Sequence, residues 1–160
     1  DSYSWSKLNR KTLAQNIILP GYIKSGGVNG VFTADTSRSM SDSMLNDVAS
    51  EIQGLLNAFA ALNIKLLIGD SDLKEEHDMR KSFDINEIKM KGGGGTSHEF
   101  VFKYIQENSP AFAIIYSDMK SDIEQCFAKY DTNGTAFIFI GTEGCKDMSR
   151  YGMMTWITRK

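Results

Sequence analysis

Cysteine and proline are nearly absent, since each occurs only twice in 160 residues. The two cysteines form no Cys-x-x-Cys pair, and a chain of this length needs no disulfide staples to hold its core. We therefore expect Cys126 and Cys145 to be free thiols of a reducing compartment. This usage favours a cytoplasmic location.

Long apolar runs and an excess of positive charge are also missing. No run approaches the ~20 residues that cross a bilayer, and the first thirty residues lack a charged segment followed by an apolar one. Lys and Arg number 18 against 20 Asp and Glu, which gives a formal net charge of −2. Without a basic field, neither nucleic acid nor a membrane is expected as a partner, and oligomeric state is not readable.

The residues that are present describe one globular domain. A hydrophobic content of 41% with 24% charged residues suits a chain that buries one core. We divide the chain into a lead-in over residues 1–28, which packs on the domain, and a domain over 29–160. Because the sequence opens at Asp1, we expect a piece of a longer protein.

Beyond Gly30, short β-rich runs alternate with segments of helical period, which predicts an α/β fold with a parallel sheet between helix layers. One long helix begins near Ser41 and continues through an apolar series from Leu45 to Leu62. The other predicted helices cover 97–107 and 121–130, and the predicted strands cover 30–34, 64–68, 82–88, 111–116, 136–140 and 153–157.

Three polar clusters follow predicted strands or loops at equivalent places. They are Asp35, Ser37 and Ser39 after the first strand, Thr96 after the four glycines, and Asp118 after the strand at 111–116. Ligand sites of open α/β sheets lie at the carboxyl ends of strands, so these clusters are placed to meet. All of their side chains offer oxygen, which selects a hard cation such as Mg²⁺ over zinc or copper.

The segment Asp35-Thr36-Ser37-Arg38-Ser39, the glycine loop ending in Thr96 and the strand-terminal Asp118 resemble the metal-ion-dependent adhesion site of von Willebrand factor A domains. More narrowly, the chain is similar to a bacterial and phage family of A-like domains, usually found C-terminal in proteins described as metallopeptidases. The match runs from Tyr3 to about Ile157. It is carried by Tyr3-Ser4-Trp5-Ser6, Asn9-Arg10, Leu19-Pro20, Gly92 to Thr96, Ile115 to Asp118 and Trp156-Ile157.

The resemblance implies a Rossmann-like, doubly wound sheet flanked by helices and a Mg²⁺ site, with Mn²⁺ or Ca²⁺ as alternatives. By the same resemblance, Ser37, Ser39 and Thr96 contact the metal, while Asp35 and Asp118 act mainly through water. One position stays open for an Asp or Glu of a partner protein. The expected function is metal-dependent protein binding by the C-terminal domain of a larger protein.

Two positions depart from the family pattern, since Arg38 and Met119 stand where glycine is usual. Met119 lacks the freedom of glycine at positive φ, and Arg38 places a cation beside a cation. We expect Arg38 to weaken the metal while helping to hold an incoming carboxylate. Met40 and Met119 are candidates for an apolar rim that touches the partner.

Two alternatives stay open. The domain is either part of a metal-dependent hydrolase or a degenerate scaffold of the same fold that binds no metal. Catalysis within this chain is not expected, because no motif places His77 or His98 beside the site, and both are interpreted as solvated. The segment Gly69 to Leu73 only loosely resembles a hydrolase nucleophile loop and is interpreted as a turn.

Overall fold

The computed structural model describes residues 3–4, 27–34, 42–69, 72–80, 97–142 and 144–159. Within these ranges, seven strands form one sheet in the order β1-β7-β6-β5-β2-β3-β4. Their bounds are β1 Tyr3–Ser4, β2 Val28–Ala34, β3 Leu62–Gly69, β4 Leu73–Asp78, β5 Phe112–Ser117, β6 Ala136–Thr142 and β7 Met153–Arg159.

The centre of the sheet is parallel and its edges are antiparallel. β2 pairs in parallel with β3 and β5, and β6 pairs in parallel with β5 and β7. β4 runs antiparallel to β3, and β1 runs antiparallel to β7. The strand order therefore reverses between β2 and β5, from which the chain winds outward in both directions. This arrangement confirms the predicted α/β class with a mostly parallel sheet.

Helices cover both faces of this sheet. α1 (Asp42–Ala58) contributes Leu45, Val48, Ile52, Leu55 and Leu56 to one core cluster. α2 (Glu99–Asn108) and α3 (Ile123–Lys129) contribute Phe100, Val101, Phe102, Ile105, Ile123 and Cys126 to the other. Consecutive residues of each central strand point to opposite clusters, because side chains alternate across a strand. The layers are those of a doubly wound fold.

The apolar run at 111–116 is the centre of the sheet, because β5 is buried along its whole length. β2 approaches β5 closely at Gly30, where an added Cβ would lie 2.1 Å from ring atoms of Phe112. Glycine is required there by space rather than by its backbone angle. Gly30 and Phe112 are directly opposite each other in the parallel register of β2 with β5.

Cys126 and Cys145 are both free thiols, as predicted. Burial raises the pKa of the Cys126 thiol to about 12, and burial also raises the pKa of Cys145. Both thiols therefore stay protonated at neutral pH, and neither has the thiolate character of a nucleophile or a metal ligand.

The predicted end of one helix was wrong, and one strand was not predicted. Leu62 begins β3 instead of continuing the helix, which ends at Ala58. The edge strand β4, with the sequence LKEEHD, was not predicted, because its charged residues hide a period of half-buried and exposed positions. Charged side chains are common on edge strands, where they oppose pairing with another chain.

Several predictions lie outside the described residues, including the strand at 82–88. Of the lead-in over 1–28, the structure describes the two residues paired with β7 and, at its end, Gly27 with the first residue of β2. The division at residues 28 and 29 stays a prediction. In the part of the chain that is described, the helices are too short or too polar to cross a membrane.

Candidate metal centre

The carboxyl ends of β2 and β5 lie side by side at the point where the strand order reverses. Ala34, the last residue of β2, pairs with Tyr116 in parallel register. The end of β2 therefore lies beside the end of β5, which continues into Ser117 and Asp118. In doubly wound folds, ligands bind in the crevice at such a switch point.

Among the predicted site residues, the structure describes Asp118 and Met119. The others lie outside the described residues: Asp35, Ser37, Arg38, Ser39, Met40 and Thr96. Their convergence with Asp118 stays a prediction. What the structure adds is the shape of the loop that carries Asp118 and its contacts with the start of α2.

The loop after β5 turns sharply, and two hydrogen bonds, each between residues two apart in the sequence, hold this turn. The buried Ser117 hydroxyl oxygen accepts the Met119 N–H at 3.0 Å, and Asp118 Oδ1 accepts the Lys120 N–H at 3.0 Å. The Asp118 side chain is only partly covered. The turn thus presents a carboxylate at the carboxyl end of the central strand.

Met119 has the left-handed backbone that glycine adopts most easily, with φ at +61°. Its side chain is 3% exposed and lies in the core cluster beneath α2 and α3. Burial of the side chain offsets a backbone cost of about 1–2 kcal/mol. With so little surface exposed, Met119 serves the shape of the loop and offers a partner almost no contact area.

The start of α2 is bound to the same loop from the other side. Asp122 Oδ1 accepts the His98 N–H at 2.7 Å, and Asp122 Oδ2 accepts the Ser97 hydroxyl at 2.8 Å. The Ser121 hydroxyl oxygen lies 2.6 Å from His98 Nδ1. Ser97 directly follows Thr96 in the sequence. The segment that leads out of the glycine loop is therefore joined to the segment that follows Asp118.

The interpretation of His98 as a solvated side chain was wrong, because it is 4% exposed. Its contact with Ser121 has the distance of a nucleophile–base pair, but Asp122 binds the His98 backbone N–H. Because Asp122 binds the backbone of His98, this contact is not the one that the carboxylate of a hydrolytic triad makes with a ring nitrogen. The contact between His98 and Ser121 holds the start of α2. Periodicity in the sequence does not predict this contact.

The one predicted metal-holding residue that the structure describes suits a hard cation, since Asp118 offers carboxylate oxygen. No three His, Cys, Asp or Glu side chains come together as a metal site within the described ranges. The predicted site has a different composition, with hydroxyls as its direct ligands, and four of its five residues lie outside those ranges. Asp118 thus offers Mg²⁺ one oxygen ligand, and the rest of the donor set stays a prediction.

A separate cavity of about 230 Å³ opens at the other end of the sheet. It lies near the starts of β2 and β5 and is lined by Asn29, Gly30, Val31, Asn63, Lys65, Tyr104, Asn108 and Pro110. Because Asp118 lies at the carboxyl end of β5, this cavity is not part of the candidate metal centre.

The doubly wound sheet with a polar switch-point loop defines a domain of the von Willebrand factor A type. A family model described as VWA-like domain (DUF2201) matches residues 31–128, from β2 into α3, and the chain belongs to this family. No curated protein matches the chain.

Two solved structures are distant neighbours. The conserved hypothetical protein BatB from Bacteroides thetaiotaomicron is 16% identical, with a TM-score of 0.45 over 83% of this chain and 80% of that one. An aerotolerance-related membrane protein from Bacteroides fragilis, carrying multiple mutations to serine, is 14% identical, with a TM-score of 0.43 over 83% and 82%.

Proposed function

We propose that this A-like domain binds a partner protein through a divalent metal at the β2–β5 switch point. Asp35, Ser37, Ser39, Thr96 and Asp118 hold Mg²⁺, or Mn²⁺ or Ca²⁺ in its place. The observation that carries the proposal is the parallel register of Ala34 with Tyr116, because Asp35 and Asp118 each follow closely after one member of that pair.

The contacts at the start of α2 support the same proposal for the segment that contains Thr96. Ser97, the residue after Thr96, donates its hydroxyl to Asp122, four residues beyond Asp118. Two neighbouring hydrogen bonds, from the His98 N–H and between His98 and Ser121, strengthen that link. These contacts support a position for Thr96 close to Asp118, at the end of the sheet where β2 leads into Asp35.

The chemistry of these donors favours recruitment of a carboxylate. Serine and threonine hydroxyls are neutral, so a bound divalent cation would keep most of its charge and attract an anionic ligand. An Asp or Glu of the partner supplies that ligand. In this proposal, Arg38 pairs with the incoming carboxylate, and Met40 contributes to an apolar rim that contacts the partner.

Metal binding is tested first, by Mn²⁺ titration of the ¹⁵N-labelled domain. We expect Mn²⁺ to broaden the amide signals of Ser117, Asp118 and Lys120 before others, and excess Mg²⁺ to restore them. A double variant, Ser37→Ala with Ser39→Ala, should lose this effect. The matched control is Asp131→Ala, since Asp131 accepts one backbone N–H in a turn beyond the other end of α3. Broadening that spares this loop would contradict the proposal.

Partner binding is tested by capture from cell lysate with Mg²⁺ or EDTA. We expect proteins that are retained only with Mg²⁺ and only by chains with intact Ser37 and Ser39. A Glu→Gln or Asp→Asn change in such a partner should abolish its retention. An identical set of captured proteins with and without EDTA would contradict metal-dependent binding.

A further inference from the structure

The side chain of Asp122 is used in an unusual way. Asp122 occupies the N-cap position of α3, but its side chain makes no capping hydrogen bond to that helix. An N-cap aspartate that binds its own helix contributes about 0.5–2 kcal/mol. This carboxylate instead reaches the start of α2, where its two oxygens accept the His98 N–H and the Ser97 hydroxyl.

The start of α2 depends on this contact. His98, at the N-cap position of α2, makes no side-chain capping bond. Ser97 accepts the Glu99 N–H at 3.2 Å while it donates to Asp122. A carboxylate at this position also interacts favourably with the positive end of the α2 dipole. Asp122 therefore completes the N-terminus of a helix that is not its own.

Asp122 is held in place because α3, at whose N-cap position it lies, packs against α2 and β6 through Phe127. The Phe127 ring lies 4.7 Å from the ring of Phe137 in β6 and 5.0 Å from that of Phe102 in α2. An ion pair between Lys129 and Glu99, at 2.9 Å, joins the two helices again. Because the Asp122 carboxylate binds Ser97 and His98, the position of α3 constrains the residues that follow Thr96.

We infer that Asp122 is a positioning residue of the metal centre. By joining Ser97 to the loop of Asp118, it fixes the spacing between two segments that carry metal-holding oxygens, without contacting the metal. The inference rests on the proposed function. Mg²⁺ demands near-ideal octahedral geometry at about 2.1 Å, so its affinity depends on how closely separate segments are held in place.

The experiment measures Mg²⁺ affinity by calorimetry for wild type, Asp122→Ala, Asp122→Asn and Ser97→Ala. We expect Asp122→Ala to weaken Mg²⁺ about tenfold or more, as loss of supporting hydrogen bonds around a metal typically does. Ser97→Ala, which removes one of the two bonds, should weaken it less. Asp122→Asn should keep most of the affinity, because the amide oxygen still accepts the His98 N–H and the amide nitrogen can donate to Ser97.

Asp131→Ala is again the control and should leave Mg²⁺ affinity unchanged. Thermal unfolding in EDTA separates positioning from general stability. A lower unfolding temperature of Asp122→Ala with unchanged Mg²⁺ affinity would overturn the inference and leave Asp122 a purely structural residue. If Asp122→Ala does not fold, Ser97→Ala decides, and unchanged affinity in that variant would also overturn it.

The two proposals fail in different ways. A wild-type chain that takes up no Mg²⁺ contradicts the proposed function and removes the basis of the inference. If Asp122→Ala binds Mg²⁺ as tightly as the wild type does, only the positioning role is contradicted. Equal losses in Asp122→Ala and Asp122→Asn would indicate a metal-binding carboxylate and would likewise overturn it.

Discussion

At the scale of single residues, Met119 shows how this chain replaces a glycine. The left-handed backbone at this position costs energy for any side chain with a Cβ, and the buried side chain returns more than that cost. Met119 is thus a local exception to the glycine preference, stabilised by the core cluster beneath α2 and α3.

This balance predicts an inverted order of stability for two variants. Met119→Ala and Met119→Gly both lose the buried side chain, at about 2–5 kcal/mol, but only alanine keeps the strain of positive φ. We expect Met119→Gly to be the more stable of the two by about 1 kcal/mol, measured by urea unfolding.

Met148 provides the control, because it is 1% exposed in the same core cluster without a positive φ. There the usual order should hold, with Met148→Ala more stable than Met148→Gly by about 0.4–1 kcal/mol, because alanine restricts the unfolded chain more than glycine does. If both positions show the same order, backbone strain at Met119 is not what decides its stability.

At the scale of elements, the end of α1 is set by a side chain from a distant segment. The Arg80 guanidinium donates hydrogen bonds to the carbonyl oxygens of Leu56 at 2.8 Å, Phe59 at 3.0 Å and Ala60 at 3.1 Å, and to that of Leu62. The last carbonyls of a helix have no partners within the helix, and a cation is favourable at that end. Arg80 therefore holds the turn that leads from α1 into β3.

We expect Arg80→Ala to lower the free energy of unfolding by about 1–3 kcal/mol, because several carbonyls lose a charged donor. Arg80→Lys should recover only part of this loss, since an ammonium lacks the planar fork of a guanidinium. Arg150→Ala is the control, because the exposed Arg150 lies over the Tyr151 ring at 5.1 Å and should contribute at most about 1 kcal/mol. Urea unfolding measures all three variants, and equal losses for Arg80→Ala and Arg150→Ala would contradict the capping role.

The sequence predicts elements where local pattern and burial agree. The apolar run of β5 and the helical period of α1 are both strong local signals, and both elements form, although α1 ends at Ala58, before the predicted Leu62. β4 is missed because its charged residues suit a solvent-facing edge, and Leu62 continues a helical period by coincidence. Each error arises where tertiary pairing, which local spacing does not encode, decides the outcome.

The residues of the candidate site show the same difference between local sequence pattern and tertiary contact. The oxygen-bearing clusters stand out in the sequence because each follows a strand or the glycine run. Asp122 and His98 do not stand out, because an aspartate before a helix looks like the cap of that helix. Its contact with Ser97 exists only once α2 and α3 pack side by side. Supporting residues of a site are therefore harder to predict than the residues they support.

At the scale of the whole molecule, the proposed metal links segments that are far apart in sequence. In the proposal, Asp35, Thr96 and Asp118 meet only in the folded chain, so a metal held by all of them would stabilise the folded state against the unfolded one. Free metal at 100 times its dissociation constant adds about 2.7 kcal/mol to the stability of a protein that binds it only when folded. The metal then acts as a clamp across the switch point.

We therefore expect saturating Mg²⁺ to raise the unfolding temperature by roughly 5–10 °C, at 2–4 °C per kcal/mol for a domain of this size. KCl at equal ionic strength serves as the control for charge screening. Asp118→Ala, which removes one metal-holding carboxylate, should show a smaller Mg²⁺ shift than wild type. Differential scanning calorimetry measures each shift. A wild-type shift no larger with Mg²⁺ than with KCl would favour a metal-free scaffold, because a metal bound only by the folded chain must stabilise it.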